Sequence, residues 1–287
     1  MRKGYLFVFM AASTWGTLGI FARYLDDFGL DAFTMVFYRV LFALIFLSVY
    51  LRLVGVGFSI APSRLKFYAL YGFFSIFLFY TLYFYTVTIS SVSFAVLLLY
   101  TAPVYSILLG RLLFGERLTP EKIAALFMVL FGVLLVNGPN GGFSTRALVF
   151  GLLTGFTYAL YGVLAKFAVS KEEPEKALFY TLLFGLLFLT PFSRFSVPMG
   201  ALPYLFALAL LPTFFGYILY NHALKEVEVS KASIVATVEP VVAIILAFIL
   251  FGETLTWLQI LGAVLIIGGS ILVHLGGGKN EKEGSQM

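Results

Sequence analysis

The sequence predicts an all-α integral membrane protein with ten transmembrane helices in two inverted five-helix repeats. Three observations carry that prediction. Hydrophobic residues make up 61% of the 287 residues and charged residues only 11%, where soluble domains run at about 25% charged. The chain divides into ten apolar runs, each near the roughly 20 residues that a membrane-spanning helix needs. Finally, residues 93–136 recur without a gap as residues 230–273. The shared landmarks are Pro103/Pro240, Phe114-Gly115-Glu116/Phe251-Gly252-Glu253, Thr119/Thr256 and Gly132/Gly269.

The runs predict spans at 4–22, 31–51, 65–86, 92–113, 120–136, 146–168, 175–192, 200–220, 231–251 and 256–275. They are long and do not alternate, which favours helices over a barrel. Met1-Arg2-Lys3 precedes the first run, but that run outlasts a signal-peptide h-region and contains Trp15-Gly16, so a retained helix is expected. The first repeat is placed at 1–137, a Gly/Pro-rich junction loop at 138–145 and the second repeat at 146–275. The polar tail, 276–287, is expected to be disordered and cytoplasmic.

Composition also excludes function classes. With no cysteine there is no disulfide and no thiolate metal site. The net charge of +5 comes from basic residues scattered singly between spans, so it implies a bilayer and not a nucleic acid partner. Nothing in the sequence calls for a cofactor or a metal.

Orientation follows from charge. With the N-terminus inside, the cytoplasmic side collects Arg2, Lys3, Arg52, Arg64, Lys66, Arg111, Arg117, Lys122, Lys166, Lys171, Lys176, Lys225, Lys231, Lys279 and Lys282. The outside collects only Arg23, Arg146 and Arg194. That bias predicts a multi-pass protein of the cell membrane with both termini in the cytoplasm. Five spans per half turn the second repeat upside down. The basic residues around the first Gly-Glu turn, Arg111, Arg117 and Lys122, are accordingly Phe248, Thr254 and Gln259 in the second copy. The repeat extends more weakly through Thr14-Trp15 and Ala22-Arg23 against Thr157-Tyr158 and Ala165-Lys166. Tyr80 and Tyr83 likewise match Tyr217 and Tyr220.

Glu116 and Glu253 read as turn residues. They precede the natural N-caps Thr119 and Thr256, which are followed by Pro120 at N1 and Gln259 at N3. Function is sought deeper. Twinned helix breaks near the midplane point to a transporter's binding site. Pro103 and Pro240 fit, each freeing a carbonyl one turn earlier, near Leu99 and Ala236; the alternative is that they only shape packing. Glu239 lies roughly 13 Å into its span, and its twin is Ala102. An acid at that depth is costly and usually functional. It could bind a substrate amine, carry a coupling proton, or make a structural hydrogen bond. Arg39, at a similar depth in span two, is its available ion-pair partner. An aromatic constellation accompanies them: Trp15 and its twin Tyr158, Tyr161 one turn on, Tyr80 and its twin Tyr217, and Tyr100-Thr101 just before Pro103. Together they predict an amphipathic cavity suited to an organic molecule more than to a bare ion. Tyr83 and Tyr220 lie nearer span ends, where interfacial anchoring is equally open. His222 could titrate near neutral pH, but a lone interfacial histidine is more often solvated.

These residues resemble the EamA-type branch of the drug/metabolite transporter superfamily. The likeness rests on the doubled five-span plan, Trp15-Gly16, Tyr38-Arg39, and the Pro…Gly-Glu-x-Leu-Thr pattern in both halves. It covers the chain short of its tail. The resemblance implies a carrier working by alternating access, commonly an exporter of amino acids or other metabolites. Its cavity would be lined by spans one, three, four, six, eight and nine, which here hold Trp15, Tyr80, Tyr100, Tyr158, Tyr217 and Glu239. The reading is an exporter of neutral or aromatic amino acids, with proton coupling through Glu239 as an open option. A nucleotide-sugar or phosphorylated-metabolite antiporter would need cavity cations, and only Arg39 and Lys166 are available. A membrane-embedded lipid-modifying enzyme would need an active-site constellation that the short loops do not offer.

Overall fold

A computed structural model describes residues 2–138 and 144–284; most of the expected junction loop, 139–143, lies outside the described residues. Among the described residues, ten helical stretches are long and apolar enough to cross a membrane, from Lys3–Asp26 to Trp257–Gly276. Span one is α1 (Arg2–Trp15) and α2 (Leu18–Asp26), and span two is α3 (Ala32–Leu53). Span three is α4 (Pro62–Gly72), a π-helical segment (Phe73–Leu78) and α5 (Phe79–Ile89). Span four is α6 (Val92–Leu99) and α7 (Ala102–Phe114), span five α8 (Pro120–Asn137) and span six α9 (Thr145–Val169). Span seven is α10 (Pro174–Leu189), running on into a short 3-10 turn. Span eight holds α11 (Leu202–Leu208), a second π-helical segment (Ala209–Phe215) and α12 (Gly216–Glu226). Span nine is α13 (Val229–Ala236) and α14 (Glu239–Phe251), and span ten is α15 (Trp257–Gly284).

Repeat symmetry is visible in the irregularities. Spans four and nine are each broken in mid-course, and Pro103 and Pro240 each sit in the first turn of the second piece. A proline there loses no hydrogen bond that the helix could have made. Spans three and eight carry twin π-helical segments, although only the second contains a proline, Pro212. Gly115 and Gly252 close α7 and α14 in the left-handed region, with φ of 68° and 66°. Glycine adopts that conformation without a Cβ penalty. Thr256 and Gln259 form the expected capping box, Oγ1 accepting from Gln259 N at 3.3 Å and Oε1 from Thr256 N at 2.9 Å.

One expectation is corrected. The tail was expected to be disordered from 276, but α15 continues to Gly284. The span supplies a formed helix to propagate from, and the lysines and glutamates beyond it are good helix formers.

α8 and α15 pack along most of their lengths. A Cβ on Gly132 would lie 2.7 Å from the Gly262 carbonyl, and one on Gly269 would lie 3.0 Å from the Ala125 carbonyl. The two crossings are repeat mates, and small residues let the backbones approach. Gly132→Val is therefore expected to destabilise the protein by roughly 1–3 kcal/mol, read as a lower thermal midpoint in detergent.

With ten spans both chain ends lie at one end of the bundle, together with most of the basic residues; it is called the basic end below. α1 packs on α12 and α13 there, and α13 packs on α7. The equivalent pair at the opposite end, α6 and α14, barely touch. Lys122 is 2% exposed at the basic end, where its ammonium bonds the Arg117 carbonyl at 2.8 Å and pairs with Glu228. Burial works against the Glu228 charge, but Lys122 and then Lys231 outweigh it and hold this loop carboxyl below its ordinary range.

Candidate functional site

The helix breaks bring the predicted residues to one level. Span one breaks after Trp15, span four at Tyr100-Thr101 and span nine at Thr237-Val238. Gly16 permits the approach of spans one and nine, since a Cβ there would lie 2.9 Å from the Glu239 carbonyl. Similarly, a Cβ on Gly155 would lie 2.7 Å from the Leu98 carbonyl, so α9 presses against the break in span four.

Trp15 sits at the centre, buried, with its indole N–H donating to the Pro212 carbonyl at 2.9 Å. Its ring meets Tyr158 at 6.4 Å, Tyr217 at 5.7 Å and Tyr220 at 5.2 Å between centroids. Tyr161 meets Tyr217 at 5.0 Å and donates its hydroxyl to Asn221 Oδ1 at 3.0 Å. The hydroxyls of Tyr80 and Tyr217 lie 3.5 Å apart, so these twins face each other across the repeat axis. Pairs of this kind contribute roughly 0.5–1.5 kcal/mol each beyond area burial, which makes the cluster a firm floor. Between Trp15, Tyr158, Tyr161 and Tyr220 it leaves a void of about 10 Å³, room for about one water.

Glu239 opens α14, half-buried, and accepts from the Tyr158 hydroxyl at 3.4 Å. Tyr100, also buried, lies near the same carboxyl. Arg39 is 4% exposed; its Nε donates to Thr213 Oγ1 at 2.9 Å and its guanidinium lies 5.4 Å above the Tyr80 ring. Its Nη2 is buried without a hydrogen-bond partner. The two residues do not meet in an ion pair. Thr213 and Tyr80 hold the guanidinium, while Tyr158 holds the carboxylate. A cation and an anion are thus kept apart around one aromatic cluster, each with capacity to spare.

Thr101 donates to the Leu98 carbonyl, an end of the broken helix, at 2.6 Å, and so seals the break. Tyr220 joins the aromatic cluster and is 4% exposed, which removes the anchoring alternative. His222 bonds Glu175 at 2.8 Å near the basic end, away from the cluster. Lys166 donates to the carbonyls of Leu224 and Val227 at the basic end, so it is no cavity cation.

Sequence reasoning missed three members. Thr213 orients Arg39; a hydroxyl following Pro212 in an apolar run was its only signal. Asn221 is fully buried with Nδ2 unpartnered, and Tyr71 is fully buried 5.7 Å from Tyr161. For both, the only local signal is a polar group within an apolar run.

Comparisons agree with this architecture. The model of the EamA-like transporter family matches residues 2–138 and again residues 145–275. An uncharacterized transporter of Archaeoglobus fulgidus is 34% identical over 275 residues, covering 95% of this chain and 96% of its own. The uncharacterized inner membrane transporter YicL of Salmonella typhimurium is 26% identical and covers 96% of both chains. A probable terminal-alkyne amino-acid exporter of Streptantibioticus cattleyicolor is 28% identical over 63% of each chain. One crystal structure matches with a TM-score of 0.82 at 20% identity, over 95% of this chain and 98% of that one, a likeness of fold alone. The doubled family match falls on the two halves that the broken spans and twin π-helical segments delimit, and this multi-pass membrane protein belongs to the EamA-like transporter family of the drug/metabolite transporter superfamily.

Proposed function

We propose that the protein exports neutral or aromatic amino acids by alternating access, with both termini in the cytoplasm. The observation that carries this reading is the separation of charge around the aromatic cluster. Arg39 offers an unpartnered buried Nη2, and Glu239 offers a carboxylate whose side-chain hydrogen bond, among the described residues, comes from the Tyr158 hydroxyl. An α-carboxylate suits the first and an α-ammonium the second. An apolar or aromatic side chain suits the rings of Trp15, Tyr80, Tyr158 and Tyr217 between them. The broken spans supply the midplane site that repeat-built carriers use.

Two further points support it. The relative named as a probable amino-acid exporter makes export the preferred direction. Lys166 is spent on the carbonyls of α12, which leaves Arg39 alone and argues against a phosphorylated or nucleotide-sugar substrate. Proton coupling is assigned to Glu239. The test is uptake by proteoliposomes against an amino-acid panel, with and without a pH gradient. Saturable flux of leucine, phenylalanine or tyrosine, enhanced by the gradient, is the expected result. Flux confined to phosphorylated compounds, or chemical conversion of the substrate, would overturn the reading.

A further inference from the structure

At the basic end the junction of α12 and α13 is gripped from both sides. Lys166, closing span six, donates to the carbonyls of Leu224 and Val227; the latter bond is 3.0 Å. Glu116, beyond α7, accepts from the backbone N–H groups of Val229 at 2.6 Å and Ser230 at 3.1 Å, and from the Ser230 hydroxyl. A cation thus takes the end of one helix and an anion the start of the next, each matched to the exposed backbone groups there. Gly110 makes room: a Cβ there would lie 2.6 Å from Glu116 Oε2.

At the opposite end the repeat mates of these two residues are Arg23 and Glu253. They grip nothing of the kind. They pair with each other at 2.7 Å, both more than half exposed, with Arg23 4.1 Å above the Phe251 ring. The junction they would grip by symmetry joins α5 to α6, where Ser91 caps α6 by accepting from Phe94 N at 3.1 Å. The packing agrees: α13 lies on α7 where the clasp is shut, and α6 stands off α14 where it is open.

We propose that Lys166–Glu116 and Arg23–Glu253 are the shut and open forms of one clasp, and that the two ends exchange forms in the transport cycle. Closing the outer end moves Arg23 to the carbonyls of Val87 and Ser90 and Glu253 to the N–H groups of Val92 and Ser93. Ser93 is the repeat mate of Ser230 and supplies the same hydroxyl. At the basic end Lys166 and Glu116 then release the α12–α13 junction and pair with each other. The clasps are unequal. Lys122 lies 3.8 Å from Glu116 and pairs with Glu228, which Lys231 holds at 3.1 Å. The mates of these three residues are Gln259, Ser91 and Phe94, without charge. The resting carrier therefore stays shut at the basic end and open at the other.

The inference rests on the chain being an alternating-access carrier, and its readout needs no substrate. The protein has no cysteine, so Val92→Cys and Leu250→Cys, both at exposed positions on α6 and α14, can be spin-labelled without background. Pulsed electron-electron resonance in proteoliposomes should give one long distance for the otherwise unaltered chain. Glu116→Ala should raise a short-distance population about tenfold or more, the scale of one charge-assisted hydrogen bond. Gly110→Ala, which displaces the carboxylate without removing it, should act in the same direction. Adding Glu253→Ala to either should abolish the short population. An unchanged distribution in monodisperse Gly110→Ala or Glu116→Ala protein would overturn the proposal. So would a short population that survives Glu253→Ala. Should Glu116→Ala not fold, the other two variants decide. Absence of amino-acid flux would remove the proposed substrate and leave the clasp standing.

Discussion

Glu239→Gln is expected to lower the kcat/KM for amino-acid flux by roughly 10- to 100-fold, because a hydrogen bond to a charged group is worth about 1.5–3 kcal/mol and each 1.4 kcal/mol is tenfold. The amide keeps the size of the carboxyl and can still accept from Tyr158, so folding should be unaffected. What it lacks is the charge proposed to meet the substrate ammonium. The groups facing this position are Tyr100, Tyr158 and, electrostatically, Arg39, and neither tyrosine titrates near neutrality in its ordinary state. On the proposal that Glu239 carries the coupling proton, the variant should lose the dependence of flux on pH as well as its rate. Initial rates in proteoliposomes at several pH values measure both. Retained flux with an unchanged pH profile would remove Glu239 from the site.

Arg39→Lys is expected to raise KM about tenfold or more, one lost charge-assisted hydrogen bond, and to relax selectivity. The guanidinium does two jobs from one rigid fork. Nε holds Thr213, and Nη2, buried without a hydrogen-bond partner, is the atom proposed to meet the substrate carboxylate. A lysine ammonium is a point charge that cannot reproduce that fork, and it either bonds Thr213 or meets the substrate carboxylate. Competition against labelled phenylalanine distinguishes this from general damage. In the unaltered protein phenethylamine, which lacks the carboxylate, should compete poorly; in Arg39→Lys the gap between it and phenylalanine should shrink. Equal KM values, or a gap that does not change, would show that Arg39 only braces Thr213.

Much of this was legible in the sequence, for a local reason. Span length, charge bias and the offset repeat are properties of contiguous residues, and they located the ten helices, the inversion and the breaks near Pro103 and Pro240. Glu239 stood out because its mate is Ala102, and Arg39 because it is a cation deep within span two. The aromatic members converge because repeat mates are brought to one axis. What stayed hidden depends on contacts between distant segments. Glu116 reads locally as a turn residue, yet its carboxylate caps a helix more than a hundred residues away. Lys122 reads as a surface lysine and is buried because Glu228 and the Arg117 carbonyl receive its charge. Thr213 gains its role only when the π-helical segment turns its hydroxyl toward Arg39. The twin π-helical segments carry no common local signal, since one has a proline and the other does not. An ion pair between Arg39 and Glu239 was a fair expectation from depth alone, and the side chains that hold the two apart could not be read from depth.

In the proposed carrier one site recognises both charges of an amino acid around an aromatic cluster. Counterflow of labelled phenylalanine in proteoliposomes, competed by phenylalanine, phenethylamine and 3-phenylpropionate, tests it most directly. Strong competition by phenylalanine and weak competition by either single-charge analogue are expected, with the penalty on phenethylamine shrinking in Arg39→Lys and that on 3-phenylpropionate shrinking in Glu239→Gln. Equal competition by all three compounds, or no phenylalanine counterflow at all, would contradict it.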